Sequence, residues 1–244
     1  LKHGVLVFRD QPLTPRLFIR FASQFGVLQP HITEKYRHPE FEELMVMTNL
    51  DKNGKINPAD ASRGDAWHTD MCYLETPAKA TILHTQQIPD VGGDTEFANM
   101  TLAFEKMPDN LKSQIEGRMA TFRYGGITLR GQERLSEHDK TRAPISHPAI
   151  RTHPETGNRS VFVNPAHTLS VEGLNNEEAQ ALLNKIFAWC IQAQFIERHK
   201  WRMNDTVIWD NRCCWHRATG DNPLQQPRIF LRTTVRGTPT KQKD

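Results

Sequence analysis

The chain has 244 residues, of which 37% are hydrophobic and 24% are charged, a composition typical of one folded domain with a sizeable core and not of a disordered chain. Its 31 basic and 28 acidic residues leave a net charge of +3, which is too small to indicate nucleic acid as the main partner. No apolar run approaches the roughly 20 residues of a membrane-spanning helix, and four cysteines are too few for a disulfide scaffold.

The start of the chain is unusual. It begins at Leu1 rather than at Met and passes at once into an apolar, strand-like run, Val5–Phe8. We therefore expect an N-terminal segment to precede Leu1 in the complete protein, and we expect residues 1–244 to form a single domain without repeats. The low cysteine usage favours a reducing, cytoplasmic location.

The clearest predicted element is a helix between Thr14 and Gly26. Thr14 is a suitable N-cap, Pro15 suits the first helical position, and Gly26 suits the C-terminal end. Apolar side chains between them recur at helical spacing, which predicts one buried face. Two further helical segments are predicted: one from about Thr101 to a break near Pro108, and one from about Asn176 to His199.

The rest of the chain is typical of short strands separated by turns. Strand-like runs cover residues 44–47, 79–85, 95–97, 159–163, 206–210 and 228–235. Two polar stretches, 51–66 and 132–144, are predicted to be loops, and our hypothesis is that they form a substrate lid. The pattern predicts a mainly β fold with flanking helices, a β-sandwich or jelly roll. A nucleotide-binding α/β fold is disfavoured because no Gly-rich loop follows a strand.

One short motif has the pattern of a metal site. In Trp67-His68-Thr69-Asp70, residues two apart on an extended chain point to the same face, so His68 and Asp70 can share one ion. His216, which follows the strand-like run 206–209, is the best candidate for a third ligand. Two histidines and a carboxylate form the facial triad of non-haem Fe(II) oxygenases. Two similar motifs, His38-Pro39-Glu40 and His153-Pro154-Glu155, are interpreted as solvated turns because each has a central proline.

Two arginines near the C-terminal end indicate anion binding. Arg228 and Arg232 are four residues apart in a strand pattern, so both point to the same side. Burying two guanidinium groups without anions is costly, and the guanidinium fork suits carboxylates and sulfonates. The pattern therefore predicts one site for a dicarboxylate co-substrate and one for a substrate; the alternative is a polar outer face of a strand.

Taken together, these motifs resemble the Fe(II)/2-oxoglutarate dioxygenases of the taurine dioxygenase and 2,4-dichlorophenoxyacetate dioxygenase group. The resemblance extends from His3 to Val235 and implies the family fold, a double-stranded β-helix, which is a cupin-like jelly roll. The ordered motifs that carry it are Val7-Phe8-Arg9-Asp10-Gln11, Trp67-His68-Thr69-Asp70, Gly92-Gly93-Asp94-Thr95, Arg151-Thr152-His153-Pro154, Trp209-Asp210-Asn211-Arg212 with His216, and Arg228 with Arg232.

The resemblance also implies roles and cofactors. His68, Asp70 and His216 would bind Fe(II), and the far carboxylate of 2-oxoglutarate would pair with Arg228 and the Thr95 hydroxyl. O2 would be the second co-substrate, with ascorbate as a supporting reductant. The implied reaction hydroxylates a small organic anion and releases succinate and CO2. Hydroxylation beside a heteroatom would lead to C–O or C–S cleavage. Family members often form dimers or tetramers, so a homo-oligomer is implied.

The substrate is less well defined by the sequence. By resemblance Arg232 would hold the substrate anion, and His31 and Tyr36 would contact it as in the taurine dioxygenase branch. His167 and its surroundings favour the aryloxyalkanoate branch. The alternatives are a surface His31, a packed or exposed Tyr36 and a core His167. We predict a small organic anion, a carboxylate ahead of a sulfonate; the alternative is an amino-acid-derived or natural-product substrate.

Two other classes of protein remain open at this point. A zinc-dependent hydrolase could use the same three ligands with an activated water, but it would need neither O2 nor Arg228 and Thr95. A non-catalytic jelly-roll binding protein could hold a structural metal. Structural zinc is normally four-coordinate, and the sequence shows no fourth ligand.

Overall fold

The computed structural model describes residues 2–31, 34–51, 53–57, 64–127, 137 and 141–240. None of the helices in these residues is long and apolar enough to cross a membrane. The strands are β1 (Val5–Phe8), β2 (Leu28–Gln29), β3 (Met45–Thr48), β4 (Ala80–Gln87), β5 (Thr95–Asn99), β6 (Met119–Phe122), β7 (Ile145–Pro148), β8 (Ile150–Thr152), β9 (Arg159–Val161), β10 (Thr168–Val171), β11 (Ile196–His199), β12 (Thr206–Asp210), β13 (Cys214–Ala218) and β14 (Ile229–Val235). The α-helices are α1 (Pro15–Ala22), α2 (Met100–Glu105), α3 (Asp109–Ile115) and α4 (Asn176–Cys190).

The strands form one large sheet and several small ones, all with antiparallel pairing. The large sheet has six strands in the order β1-β12-β4-β14-β2, and β3 pairs with β14 beside β2. The smaller sheets are β11-β5-β13, β10-β6-β7 and the pair β8-β9. This architecture confirms the predicted mainly β fold with flanking helices.

Strand alternation separates the interior of the roll from its outer layer. Phe230 of β14 packs against Phe97 of β5 in a cluster between the large sheet and the β11-β5-β13 sheet. Its neighbour Leu231 packs on the opposite face, in the cluster that includes Phe18 of α1. Because side chains alternate along a strand, Arg232 points to the same side as Phe230, and it is only 8% exposed. The charged side chain of Arg232 therefore lies in the interior of the roll.

Helix α1 confirms the predicted capping signals. The Thr14 hydroxyl accepts a hydrogen bond from the Leu17 N–H at 3.4 Å, and Pro15 occupies the first turn. Loss of such a cap typically costs about 1 kcal/mol. The helix continues as a short 3₁₀ turn and ends at Gly26, whose φ of +140° favours glycine. Its Phe18 and Ala22 are fully buried against the outer face of the large sheet.

The prediction of one helix from Asn176 to His199 is wrong in its last part. Asn175 and Glu178 form a capping box at the start of α4, and the helix ends at Cys190. Ile196–His199 instead form β11, which pairs with Thr95–Ala98 of β5. The free edge of β5 offers this short segment a ladder of hydrogen bonds, and local helical spacing cannot reveal that partner.

Of three further predictions, one is confirmed in part, one is wrong and one lies outside the described residues. The predicted strand 159–163 is present but ends at Val161. The interpretation of His153 as part of a solvated turn is wrong, because its side chain is only 3% exposed. Positions 52, 58–63, 128–136 and 138–140 belong to or border the two predicted lid loops and lie outside the described residues, so the lid stays a hypothesis.

Candidate active site

Three side chains, two from one short segment and one from a distant strand, converge inside the roll. The nearest ligand atoms of His68, Asp70 and His216 all lie within 4.8 Å of one another. His68 Nε2 lies 3.8 Å from Asp70 Oδ1, and His216 Nε2 lies 3.6 Å from Asp70 Oδ2. The structure thus brings together the three residues that the sequence predicted as a triad.

Backbone pairing holds the two histidines next to each other. The His68 N–H donates to the His216 carbonyl at 3.1 Å, and the His216 N–H donates to the His68 carbonyl at 2.8 Å. This isolated antiparallel bridge leaves the imidazole ring centroids 4.2 Å apart. His216 itself lies in β13, opposite Phe97 of β5. The spacing of the histidines is therefore set by main-chain hydrogen bonds.

The hydrogen bonds of His68 determine which ring nitrogen is available. Its Nδ1 lies 2.8 Å from the Ala66 carbonyl oxygen. A carbonyl only accepts hydrogen bonds, so Nδ1 carries a proton and Nε2 is the ring nitrogen that faces Asp70. Burial, together with the neighbouring His68, holds the pKa of His216 well below its usual range. His216 is therefore neutral, and neutral imidazole is the form that binds metals.

Two chains of contacts orient the Asp70 carboxylate. The Asn211 side-chain amide donates to the Thr81 hydroxyl at 2.9 Å, and this hydroxyl donates to Asp70 Oδ2 at 2.6 Å. On the other side, Arg232 Nη2 lies 2.6 Å from Asp70 Oδ1. Burial alone raises the pKa of Asp70, but Arg232 and then the two histidines hold it well below its usual range. The carboxylate is ionised and held in one orientation.

The donor set is chemically suited to a divalent transition metal. Two imidazole nitrogens and one carboxylate are the ligands of the Fe(II) facial triad, which leaves coordination positions open. Within the described ranges this is the one cluster of three or more His, Cys, Asp or Glu side chains with metal-ligand spacing. A closed structural zinc site would require a fourth such ligand. The residues present therefore fit an iron with open positions.

A partly buried cation, Arg228, has no anionic partner in the described residues. Arg228 donates through Nε and Nη2 to the Gly93 carbonyl at 3.1 and 3.0 Å, and its guanidinium lies 4.3 Å from the Phe230 ring centroid. In the described part of the chain, no carboxylate lies within ion-pair distance of it. Burial lowers the pKa of Arg228 to about 10, and Asp94 only partly opposes this. A partly buried guanidinium without an anionic partner fits a ligand carboxylate.

Thr95, two residues after Gly93, lies at the start of β5 and is buried. Its hydroxyl accepts a hydrogen bond from the indole N–H of Trp201 at 3.0 Å. The Gly93 carbonyl thus connects the Arg228 guanidinium to the strand that carries the Thr95 hydroxyl. These are the two residues that the resemblance assigned to the far carboxylate of 2-oxoglutarate.

Three rings, those of Tyr73, Tyr124 and His167, form an aromatic wall next to the triad. Of these residues, only His167 was identified from the sequence. The ring of His167 lies 6.0 Å from His68 and 5.0 Å from Tyr73, and Tyr73 lies 4.9 Å from Tyr124. Burial and the nearby His68 lower the pKa of His167 to about 3, so this ring is uncharged. Tyr73 could have been found from its place three residues after Asp70, whereas nothing local marks Tyr124.

His31 and Tyr36 lie together between β2 and β3, with their rings edge to face and 6.0 Å apart. Arg37 donates to the His31 carbonyl at 2.9 Å and forms an isolated bridge with Met45. The Met45 sulfur in turn lies 3.5 Å from Arg232 Nη1. The segment is thus connected to Arg232, while direct substrate contacts of His31 and Tyr36 stay a prediction.

Comparison with known proteins adds independent information. Residues 1–234 match the family described as taurine catabolism dioxygenase TauD, TfdA family. The chain is 34% identical over 226 residues to the α-ketoglutarate-dependent 2,4-dichlorophenoxyacetate dioxygenase of Cupriavidus pinatubonensis, a match that covers 88% of this chain and 78% of that protein. It is 30% identical to an alkylsulfatase of Acinetobacter baylyi, covering 97% of this chain and 74% of the relative.

Among solved structures, the crystal structure of AAD-2 in complex with Mn(II) and N-oxalylglycine matches with a TM-score of 0.83 and 30% identity, covering 99% of this chain and 86% of that chain. This similarity confirms the predicted jelly roll. The chain belongs to the TauD/TfdA family. It is a dioxygenase that depends on α-ketoglutarate, which is 2-oxoglutarate.

Proposed function

We propose that this dioxygenase uses Fe(II), 2-oxoglutarate and O2 to hydroxylate a small organic anion, and that it prefers an aryloxyalkanoate-type carboxylate to an alkyl sulfonate. One observation carries the proposal. The interior holds a cluster of two histidines and one carboxylate, and Arg228, a partly buried cation, has no carboxylate within ion-pair distance in the described residues. A metal centre and a separate carboxylate site are both needed for a co-substrate that chelates iron at one end.

The roles follow from the donor atoms. His68, Asp70 and His216 would hold the iron, while Arg228 and the Thr95 hydroxyl would hold the far carboxylate of 2-oxoglutarate. Once bound, the iron and 2-oxoglutarate supply the oxidation: O2 and 2-oxoglutarate yield succinate and CO2, and the second oxygen atom turns a substrate C–H into C–OH.

Arg232 would attract the anionic end of the substrate. Its guanidinium is a second positive charge inside the roll, and its Nη2 lies 2.6 Å from Asp70. The fork geometry of arginine suits a carboxylate and also suits a sulfonate or a sulfate ester. Arg232 therefore supports an anionic substrate and does not by itself distinguish these groups.

The aromatic wall favours an aryl substrate. Tyr73, Tyr124 and His167 present rings beside His68, and aromatic rings make favourable edge-to-face and offset contacts with one another. The relative from Cupriavidus is named for an aryloxyacetate, which combines a ring with a carboxylate. Hydroxylation next to the ether oxygen would give a hemiacetal-like product that breaks down to a phenol and an aldehyde or keto acid.

The interior also excludes water from the reaction. Trp209 lies 4.5 Å from the His216 ring and is fully buried with Phe97 and Phe230 in the inner cluster. An apolar surrounding strengthens the electrostatic contacts of the bound anions and limits side reactions with water. Trp209 therefore belongs to the core and also lies beside a proposed metal ligand.

Sulfonates or sulfate esters are the second candidate substrate class. The family description includes taurine catabolism, and one relative is named an alkylsulfatase. An amino-acid-derived or natural-product substrate is a further alternative. The zinc hydrolase and the binding protein are disfavoured by the family to which the chain belongs. The homo-oligomer, the cytoplasmic location and the need for ascorbate stay predictions.

An anaerobic titration with Fe(II) and 2-oxoglutarate tests the proposal. We expect a visible metal-to-ligand charge-transfer band that shifts when phenoxyacetate or 2-phenoxypropionate is added, and shifts less with taurine or an alkyl sulfate. On admission of O2, one succinate should form for each phenol released. Arg232→Met should retain the band and lose the shift. A folded protein that forms no band would overturn the iron site, and a band that responds only to sulfonates or sulfate esters would overturn the substrate preference.

A further inference from the structure

Trp201 lies behind the proposed binding site for the far carboxylate. It follows β11 and is only 8% exposed. Its ring packs edge to face against Phe230 with centroids 4.8 Å apart, and against His199 at 4.6 Å. Phe230 is also the ring on which the Arg228 guanidinium rests, at 4.3 Å. One pair of aromatic rings therefore supports both Arg228 and, through the indole N–H, Thr95.

The hydrogen bond from Trp201 determines what the Thr95 hydroxyl can offer. An indole N–H only donates, whereas a threonine hydroxyl has one proton and two lone pairs. Within the described residues, the bond accepted from Trp201 is the only one that Thr95 Oγ1 makes. One of its two lone pairs is engaged and its proton remains available, so Thr95 can face a ligand as a donor.

The neighbouring Arg228 likewise offers a ligand only hydrogen-bond donors. A guanidinium has donors and no acceptor, and only Nε and Nη2 of Arg228 are engaged, both by the Gly93 carbonyl. A ligand end with two acceptor oxygens satisfies both residues at once. A ligand end that is a methyl group would leave buried donors without acceptors, which is costly.

We propose that Trp201 is a positioning residue: it fixes the Thr95 hydroxyl as a donor and so sharpens selectivity for a 2-oxo acid that carries a second carboxylate. The proposal rests on the role proposed above for Thr95 and Arg228. Without the indole N–H, the buried hydroxyl would lose its donor partner and become free to rotate. It would then hold the far carboxylate in a less defined orientation.

The test replaces only the N–H. Trp201→Phe keeps an aromatic ring against Phe230 and removes the donor. We expect the Kd of 2-oxoglutarate for the Mn(II)-loaded protein, measured by anaerobic calorimetry, to rise about 10-fold, which corresponds to about 1.4 kcal/mol. The Kd of Mn(II) should not change. The ratio of the Kd of 2-oxopentanoate, which lacks the far carboxylate, to the Kd of 2-oxoglutarate should fall.

A matched control distinguishes this role from general packing. Trp189 also donates its indole N–H to an oxygen, the Ala103 carbonyl, at 2.8 Å on the outer side of the protein. Trp189→Phe should leave the Kd of 2-oxoglutarate unchanged. If Trp201 acts through Thr95, then Trp201→Phe should have no further effect in a Thr95→Val background and should keep its effect in a Thr95→Ser background.

The outcomes separate the two proposals. Wild-type protein that binds Mn(II) but not 2-oxoglutarate would contradict the proposed function. Wild-type protein that binds 2-oxoglutarate, with Trp201→Phe binding it equally well or adding fully to Thr95→Val, would overturn the role of Trp201. Should Trp201→Phe fail to fold, benzothienylalanine at position 201 removes the N–H with almost no change of shape, and the same Kd comparison decides.

Discussion

Two buried polar clusters in this protein start from the same kind of motif and differ in what their atoms do. The inner cluster consists of His68, Asp70 and His216. The outer cluster consists of His153, Asp210, Arg212 and Glu155. The inner motif is His-Thr-Asp and the outer one is His-Pro-Glu, and each places a histidine near a carboxylate.

Every nitrogen of the outer histidine is engaged by the protein itself. His153 Nδ1 accepts hydrogen bonds from the N–H groups of Glu155 and Thr156, both at 3.2 Å, so Nε2 carries the proton toward Asp210 Oδ2 at 3.1 Å. His68 differs because only Nδ1 is engaged, by the Ala66 carbonyl. His68 thus keeps one nitrogen for a ligand, and His153 keeps none.

Two guanidinium groups, the buried Arg212 and the partly buried Arg228, show the same contrast. Arg212 donates to Asp210 through Nε and Nη2 at 2.8 and 2.7 Å, and to Glu155 through Nη1 at 2.6 Å. Arg228 donates only to the Gly93 carbonyl. A polar side chain whose hydrogen-bonding atoms all have partners within the protein serves the fold. A polar side chain with unpartnered hydrogen-bonding atoms is a candidate for ligand binding.

The largest effect should separate His68 from His153. Loss of a second-sphere partner alone costs metal sites about 10–100-fold in affinity, so His68→Ala should weaken Mn(II) binding by more than about 100-fold. His153→Ala should bind Mn(II) like the wild type. Calorimetric titration of the metal-free proteins measures both. Similar losses in the two variants would remove the distinction between the clusters.

Arg212→Met should affect the fold and not the ligand. It leaves the buried Asp210 carboxylate without its main partner, and breaking a buried pair costs about 3 kcal/mol or more of the free energy of unfolding. Urea unfolding measures this loss. The protein that remains folded should bind 2-oxoglutarate with wild-type affinity; a weakened affinity without loss of stability would contradict the assignment.

Arg228→Met should weaken ligand binding without destabilising the fold. Removing one partner of a buried charge pair costs about 2 kcal/mol or more in binding, roughly 30-fold in the Kd of 2-oxoglutarate. The free energy of unfolding without ligand should stay equal or rise, because a desolvated and unpaired cation has been removed. Calorimetry and urea unfolding on one preparation give both numbers. A large loss of stability would mean that Arg228 belongs with the structural group.

The smallest effect is a pH dependence in the outer cluster. Burial raises the pKa of Asp210, but hydrogen bonds from Arg212 and His153 outweigh this and hold it well below its ordinary 3.8. Unfolding then takes up a proton at acid pH, so the ionised carboxylate stabilises the fold above about pH 4 and loses that effect as pH falls through the folded-state pKa.

The stability gap, which is the difference in the free energy of unfolding between the wild type and Asp210→Asn, should therefore be constant near neutral pH. It should decrease below about pH 4. Thermal unfolding of the metal-free proteins across this range measures the gap. Asp221→Asn is the control: its carboxylate is also paired with an arginine but is exposed, so solvent screens it and the gap should be small throughout. A gap for Asp210→Asn that does not change with pH would contradict the account.

Much of the site could be predicted from the sequence because its signals are local. The two-residue spacing in His68-Thr69-Asp70, the four-residue spacing of Arg228 and Arg232, and the resemblance of the ordered motifs indicated the triad and the anion sites before any fold was known. The caps at Thr14 and Gly26 are local too, and the structure agrees with them.

Several misses concern partners that come from elsewhere in the chain. His153 looked solvated because Asp210 lies on a distant strand, and β11 looked helical because its ladder partner β5 lies about one hundred residues earlier. Tyr124 had no local mark, since it becomes part of the aromatic wall only by packing against Tyr73.

By itself the sequence determined several of the elements, which residue types are spaced for metal and anion binding, and which family the chain resembles, because these depend on near neighbours and on motif order. Only the tertiary structure decided which nitrogen of His68 is available, that Arg228 lacks an anion among the described residues, and that the Thr95 hydroxyl accepts the indole N–H of Trp201. The physical reason is that a hydrogen bond engages a particular atom, and its partner is chosen by strand pairing between distant parts of the chain.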